Sequence, residues 1–214
     1  MSSMPPLGLQ LEKALWSQGF RLVAGVDEAG RGAWAGPVVA AAVVLPPHRR
    51  ELVCALEGVQ DSKRLTPAQR EALFPLIRSE ALAVGIGEAS PAEVDARNVL
   101  EATRLAMRRA LADLASQPDF LLLDHLTLPD WPGPQRGIPH GDSLVLSIAA
   151  ASIVAKVHRD RLMVRLAQAY PGYDLEHNKG YGTPKHRLAL ARLGPSPIHR
   201  RSYRPVACLL EDGR

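Results

Sequence analysis

Two adjacent carboxylates, Asp27 and Glu28, close a short apolar run from Val23 to Val26 and are followed at once by Ala29-Gly30-Arg31-Gly32. Strand side chains alternate between faces, so the two acids point to opposite sides of a sheet unless the chain leaves regular geometry there, which the glycines permit. The pair therefore belongs at a sheet edge or mouth. Carboxylate oxygens suit hard divalent cations. Gly30 and Gly32 let backbone amides approach a ligand closely, and Arg31 between them offers a planar, permanently charged fork for phosphate. Alone, an Asp-Glu pair before glycine is more often a solvated turn, so the chemical reading rests on what else the chain carries. Gly25 and Gly30 also have the G-x4-G spacing of a P-loop, but Arg31-Gly32 stands where Lys-Ser/Thr is required, and two acids would face the phosphates.

The same design recurs. Phe120-Leu121-Leu122-Leu123-Asp124 is a second apolar run that ends in a carboxylate. Ligands of open α/β sheets sit at the carboxyl ends of strands, so Asp124 joins Asp27 if the two strands are neighbours. Asp142, in Gly141-Asp142-Ser143 ahead of a long helix, is either a favourable dipole partner or a further metal ligand. Lys63 lies just before the Thr66-Pro67 helix start, a place that favours anions, although an exposed lysine there is more often simply solvated. His177 to His186 alternates basic, glycine and aromatic residues, and Tyr181 among Lys179 and Lys185 makes a stacking platform for a sugar or base.

The elements that must position these groups read as α/β. A helix over Leu7 to Gln18 leads into a strand at Leu22 to Val26, and the Val38 to Leu45 run suits a buried partner strand. Thr66-Pro67 opens a helix to about Ala81, Leu82 to Glu88 reads as a third strand, and Ser90-Pro91 opens a helical region to about Ser116 with Met107, Leu111 and Leu114 inward. Leu126 to Gly137 reads as a proline-rich loop. Leu144 to about Ala169 is a helix whose small residues, Ser147 to Ser152, let it pack close to a sheet, and a further capped helix follows His186.

The 214 residues suffice for one domain with a full core, an α/β body over about 20–169 and a basic portion over about 170–206. Net charge is +4, but residues 1–155 carry 14 Lys/Arg against 17 Asp/Glu, whereas 156–205 carry 11 against 3 and four histidines besides. That last quarter is a polyanion-binding candidate, with Arg200 and Arg201 either on phosphate or bracing the C-terminal helix. Cys54 and Cys208, far apart and without a CxxC partner, read as packing residues in a reducing compartment rather than a disulfide or zinc framework. No run of eighteen apolar residues exists, and Met1 to Pro6 lacks the order of a signal peptide, so a soluble cytoplasmic protein is expected.

Taken in order, Asp27 to Gly32, Asp61-Ser62-Lys63, Asp124, Gly141-Asp142-Ser143 with Ser147 to Lys156, Asn178 to Thr183, and His199 to Val206 resemble the bacterial ribonuclease HII family from about residue 22 to 206. One departure is His125, where that family usually has glycine. The resemblance implies a ribonuclease H-like α/β fold, a mixed five-stranded sheet between helices with a helical C-terminal portion. It implies endonucleolytic hydrolysis of the RNA strand of RNA–DNA hybrids, including single ribonucleotides embedded in duplex DNA, leaving 3′-hydroxyl and 5′-phosphate ends. The implied catalytic and metal-binding residues are Asp27, Glu28, Asp124 and Asp142, with Mg2+ or Mn2+. Gly30, Arg31, Gly32, Lys63, Lys179 and Tyr181 are the implied substrate contacts. The protein is expected to be monomeric with no membrane partner. Two divalent ions ~4 Å apart would neutralise the attacking and leaving oxygens of the phosphodiester. A resolvase of the same fold and a non-catalytic binding module are the competing readings. The glycine motifs count against the first, and acids beside a polyanion count against the second.

Overall fold

A computed structural model describes residues 7–47, 49 and 51–211. Met1 to Pro6, read above for a leader, lie outside the described residues, as do the ends of the expected 1–214 domain. Five strands form one mixed sheet in the order β3-β2-β1-β4-β5, with β1 (Val23–Ala29), β2 (Val38–Val44), β3 (Ala83–Ala89), β4 (Phe120–Asp124) and β5 (Gln135–Ile138). The first three strands pair antiparallel, and β1-β4 and β4-β5 pair parallel. The stretch read as a proline-rich loop thus contains the first three residues of the fifth strand, which ends at Ile138. β5 is four residues long and lies at the sheet edge; so short a strand, with Gln135, Arg136 and Gly137 in it, carries no apolar alternation to read.

Strand alternation divides the core. On β1, Ala24 and Val26 pack in the cluster with Ala102, Ala106, Met107 and Ala110 of helix α5 (Val99–Ala112). Val23 and Ala29 face the other way, toward helix α6 (Leu146–Ala169). Gly25 shares that face because a Cβ there would lie 2.2 Å from the Ser147 carbonyl carbon. This glycine permits close helix-on-strand packing, which is its purpose here rather than phosphate binding. α6 answers with Ser147, Ala149, Ala150, Ala151 and Ser152, all buried. Leu121, Leu122 and Leu123 of β4 are at most 1% exposed, and each contributes about 1.5–3 kcal/mol by burial, which anchors the strand that ends in Asp124.

The short α2 (Leu52–Ala55) buries Leu52, and the other helices follow their caps. Thr66 and Ser90 make full capping boxes with Gln69 and Glu93, starting α3 (Pro67–Glu80) and α4 (Pro91–Arg97). The helical region expected from Pro91 to Ser116 is broken at Asn98, whose φ of 70° ends α4 while its side chain caps the first amides of α5. α1 (Gln10–Ser17) is tied to the core by the fully buried Glu12, whose Oε1 accepts the Ser147 amide at 2.9 Å. α6 has no side-chain cap of its own, so Glu12 supplies one from outside the helix. The C-terminal portion is helical, with α7 (Leu175–Asn178), α8 (Pro184–Leu193) and α9 (Arg204–Glu211) around Tyr173, Leu175, Leu190 and Ile198. Cys54 and Cys208 are free and exposed, so they do not serve packing. Among the described residues no helix is long and apolar enough to cross a membrane.

Candidate active site

β1 runs on through its acids to Ala29 while still paired with β2, Asp27 opposite Ala41 and Glu28 opposite Ala40. Its pairing with β4 stops at Val26 and Leu123. The acids therefore lie inside the central strand, not at its end, and become accessible because β4 ends one residue later in Asp124. Asp27 shares the α6 face of the strand. The turn at Gly141–Ser143, entered through His140 in the left-handed region, brings Asp142 to the same place. Ligand oxygens of Asp27, Asp124 and Asp142 lie within 4.8 Å of one another. Glu28 stands outside that triad, as alternation requires. Its Oε1 accepts Arg31 Nη1 at 3.1 Å, and its Oε2 is buried without a partner.

Three carboxylates so close are electrostatically uncomfortable. Burial holds Asp27 well above the usual carboxylate range, and the charges of Glu28 and Asp124 push it further. Asp142 is raised by burial and then by Asp124, against the pull of Lys63. Glu28 is raised by burial, with Arg31 opposing. Burial works against the Lys63 charge, but Asp142 and Asp27 outweigh it and lift its pKa. The Lys63 ammonium sits 3.5 Å from Asp142 Oδ2 and is 79% exposed, so it does not compensate the buried Asp27 and Asp142 together with the half-buried Asp124. An all-oxygen donor set with buried repulsion and an orphaned oxygen fits hard divalent cations.

The surrounding loops are fixed by named contacts. Asp124 Oδ1 accepts the Gly141 amide at 2.8 Å, which locks the strand end to the Asp142 turn. Asp61 caps the turn at Ser62–Arg64, Ser152 Oγ accepts the Ser62 amide at 3.3 Å, and Lys63 is thereby aimed over the acids. Gly30 has φ 93°, as expected of the loop glycine. Trp34 and Ala35 amides both donate to the Gly180 carbonyl, at 2.8 and 3.2 Å, which seats the Gly30–Gly32 loop against the Tyr181 loop. A cleft of about 550 Å³ results, lined by Asp27, Glu28, the Gly30–Gly32 loop, Lys63, Asp124, Lys156 and Tyr181. It meets a second cleft of about 520 Å³ at Lys156 and Tyr181.

Not every expected contact lies there. Lys179 lines the second cleft, and its ammonium donates to the Glu176 carbonyl. Arg200 is fully buried, so it binds no phosphate. It braces a loop rather than the C-terminal helix: Nη1 donates to the Arg31 carbonyl at 2.8 Å, and Nε and Nη2 donate to the Gly36 carbonyl at 3.0 and 2.9 Å. Tyr203 donates to the same Arg31 carbonyl. His125 adopts φ 58°, the left-handed geometry that explains why glycine is usual there. Lys156, the last residue of the Ser147 to Lys156 motif, places Nζ 5.5 Å from the Tyr181 ring centroid.

A buried histidine pair underlies the Tyr181 loop. The Ser196 amide donates to His199 Nδ1 at 3.1 Å, so His199 carries its proton on Nε2 and donates to His186 Nε2, also at 3.1 Å. His186 then donates from Nδ1 to the Tyr181 carbonyl at 2.9 Å. Burial, with His186 beside it, depresses His199 from 6.5 to about 4. Below pH 6.5 the unfolded chain takes up a proton that the folded chain refuses, so this contribution to stability is complete above pH 6.5 and is lost progressively toward pH 4. The raised carboxylates act in the opposite sense. The thermal midpoint of wild type should therefore fall more steeply than that of His199→Asn between pH 6.5 and 4.5, and parallel profiles would contradict the assignment.

The mixed five-stranded sheet between helices, together with its solved relatives, places the chain in the ribonuclease H-like class of α/β folds. The ribonuclease H2 of Pyrococcus horikoshii OT3 has a solved structure that superposes with a TM-score of 0.75 at 29% identity, over 89% of this chain and 97% of that one. A ribonuclease HII from Synechococcus sp. (strain JA-3-3Ab) is 57% identical over 92% of this chain and 88% of its own length. One from Syntrophotalea carbinolica is 55% identical over 92% of each. The profile of the family described as Ribonuclease HII matches residues 24–206. The chain belongs to the ribonuclease HII family. It is accordingly a ribonuclease H, an endoribonuclease of RNA–DNA hybrids from a metal-dependent family.

Proposed function

We propose that Asp27, Glu28, Asp124 and Asp142 hold two divalent cations, Mg2+ or Mn2+, in the active complex. With them the chain cleaves the RNA strand of hybrids and single ribonucleotides embedded in duplex DNA, leaving 3′-hydroxyl and 5′-phosphate ends. The observation that carries this reading is the convergence of Asp27, Asp124 and Asp142 oxygens within 4.8 Å, where Asp27 and Asp124 line a cleft shared with the Gly30–Gly32 loop. When bound, such ions neutralise charge on the attacking and leaving oxygens and activate water.

The chain's own residues do the rest. Asp124 is oriented by the Gly141 amide on one oxygen, which leaves the other for a cation. Glu28, outside the triad but lining the same cleft, has one oxygen on Arg31 and one without a partner for the same purpose. Gly30, Arg31 and Gly32 present backbone to a ribose 2′-hydroxyl, which is both donor and acceptor and distinguishes RNA from DNA. Lys63 neutralises a phosphate near Asp142, and Lys179 takes one further along the second cleft. Tyr181 stacks on the sugar that follows the scissile phosphate and fits best where that sugar lacks a hydroxyl. The body over about 20–169 carries the chemistry and the portion over about 170–206 the substrate contacts, within one cytoplasmic monomer. Cleavage of three duplexes tests this reading: a continuous hybrid and a single-ribonucleotide duplex should be cut, with ligatable 3′-hydroxyl products, and an all-DNA duplex spared. Cutting of all-DNA branched substrates instead would favour the resolvase alternative.

A further inference from the structure

Arg159 lies in the middle of α6 and is fully buried. A guanidinium removed from water costs several kcal/mol unless it is hydrogen-bonded, and here every nitrogen is spent on main-chain carbonyls. Nε donates to Pro37 at 2.9 Å, Nη2 to Ala35 at 3.1 Å and Nη1 to Lys179 at 2.9 Å. The first two acceptors close the loop that begins at Gly30, and the third closes the loop that carries Tyr181. The planar fork also stacks, with its Cζ 5.3 Å from the Tyr181 ring centroid. On the other side it presses on the glycine loop, where a Cβ at Gly30 would lie 1.9 Å from Arg159 Nε. Burial lowers Arg159 only to about 10, so the group remains charged at neutral pH.

One side chain therefore touches both parts of the substrate-recognition surface from beneath without reaching the cleft. We infer that Arg159 is a positioning residue that fixes Tyr181 relative to the Gly30–Gly32 loop, so that reading the ribose hydroxyl and reading the following sugar occur in one register. The inference rests on the reading of Tyr181 given above. Arg200 holds the Arg31 and Gly36 carbonyls from a separate direction and has no bond to the Tyr181 loop, so it does not duplicate this link.

A double-mutant cycle of Arg159→Lys and Tyr181→Ala, read on a single-ribonucleotide duplex and on a continuous hybrid, tests it. Lysine keeps the charge but cannot serve three carbonyls in a plane. Arg159→Lys should lose about 10- to 100-fold in kcat/KM on the single ribonucleotide, with a smaller loss on the hybrid. In the Tyr181→Ala background its further loss on the single ribonucleotide should be less than about threefold, because the group it positions is gone. Losses that multiply in the double variant would overturn the inference and leave Arg159 a structural residue only. Equal losses of Tyr181→Ala on the two substrates would overturn the reading of Tyr181, and the inference with it, an outcome distinct from the first. Should Arg159→Lys fail to fold by circular dichroism, Arg159→Gln removes the buried charge and most of the same carbonyl bonds, and its cycle with Tyr181→Ala carries the same two outcomes.

Discussion

Replacing Asp27 by asparagine is expected to lower cleavage by about 10³-fold or more, the equivalent of the several kcal/mol that metal-assisted charge stabilisation supplies. Affinity for hybrid should stay nearly unchanged. Asparagine preserves the side-chain volume at a position only 5% exposed and can still accept the Glu28 amide through its oxygen. What it removes is one negative charge from the triad. The same substitution should raise the thermal midpoint at neutral pH in the absence of divalent ions. Because burial and the neighbouring acids hold the Asp27 pKa high, the folded state binds this proton more tightly than the unfolded one, and ionising Asp27 as pH rises toward neutrality costs stability. Loss of activity with gain of stability separates a site residue from a structural one. Near-normal metal-dependent cleavage by Asp27→Asn would sink the site assignment.

Truncation of Tyr181 to alanine should cost about 10- to 100-fold on a duplex with a single ribonucleotide, since stacking on one base or sugar is worth about 1–3 kcal/mol by alanine substitution. A smaller loss is expected on continuous hybrid, where the following sugar keeps its hydroxyl and the ring fits less well. The ring is half-buried between the cleft and the cations of Lys156 and Arg159, 5.5 and 5.3 Å from its centroid. Its removal exposes those cations without unseating the loop, because the Asn178, Thr183 and His186 bonds to this segment run through main-chain atoms of residue 181. Side-by-side rates with intact circular dichroism decide the matter, and equal losses would leave Tyr181 no special part at the RNA-to-DNA step.

Much of this was legible in residue order, and what was not has identifiable causes. The strands that carry acids, the capped helices and the small-residue face of α6 are encoded locally, so the sheet around Asp27 and Asp124 could be read directly. Basic residues were harder. Charge counting sends the whole last quarter to nucleic acid, yet Arg159 and Arg200 are fully buried on backbone carbonyls. Nothing in composition separates an arginine that meets phosphate from one that satisfies a loop, because the acceptors are carbonyls contributed from as far away as residue 31. The His186–His199 pair escaped for the same reason, since its members meet only through tertiary packing. Glu28 shows the converse. Its neighbour in sequence is in the triad, but strand alternation keeps Glu28 out of it, at the same cleft and bonded to Arg31.

Divalent-cation binding by Asp27, Asp124 and Asp142 is measured by titrating Mn2+ into the protein and following the free-ion signal by electron paramagnetic resonance. Wild type should deplete the signal saturably, and Asp27→Asn should weaken that binding by at least about tenfold. Equal depletion by wild type and the Asp27 variant would place the metal elsewhere and contradict the account.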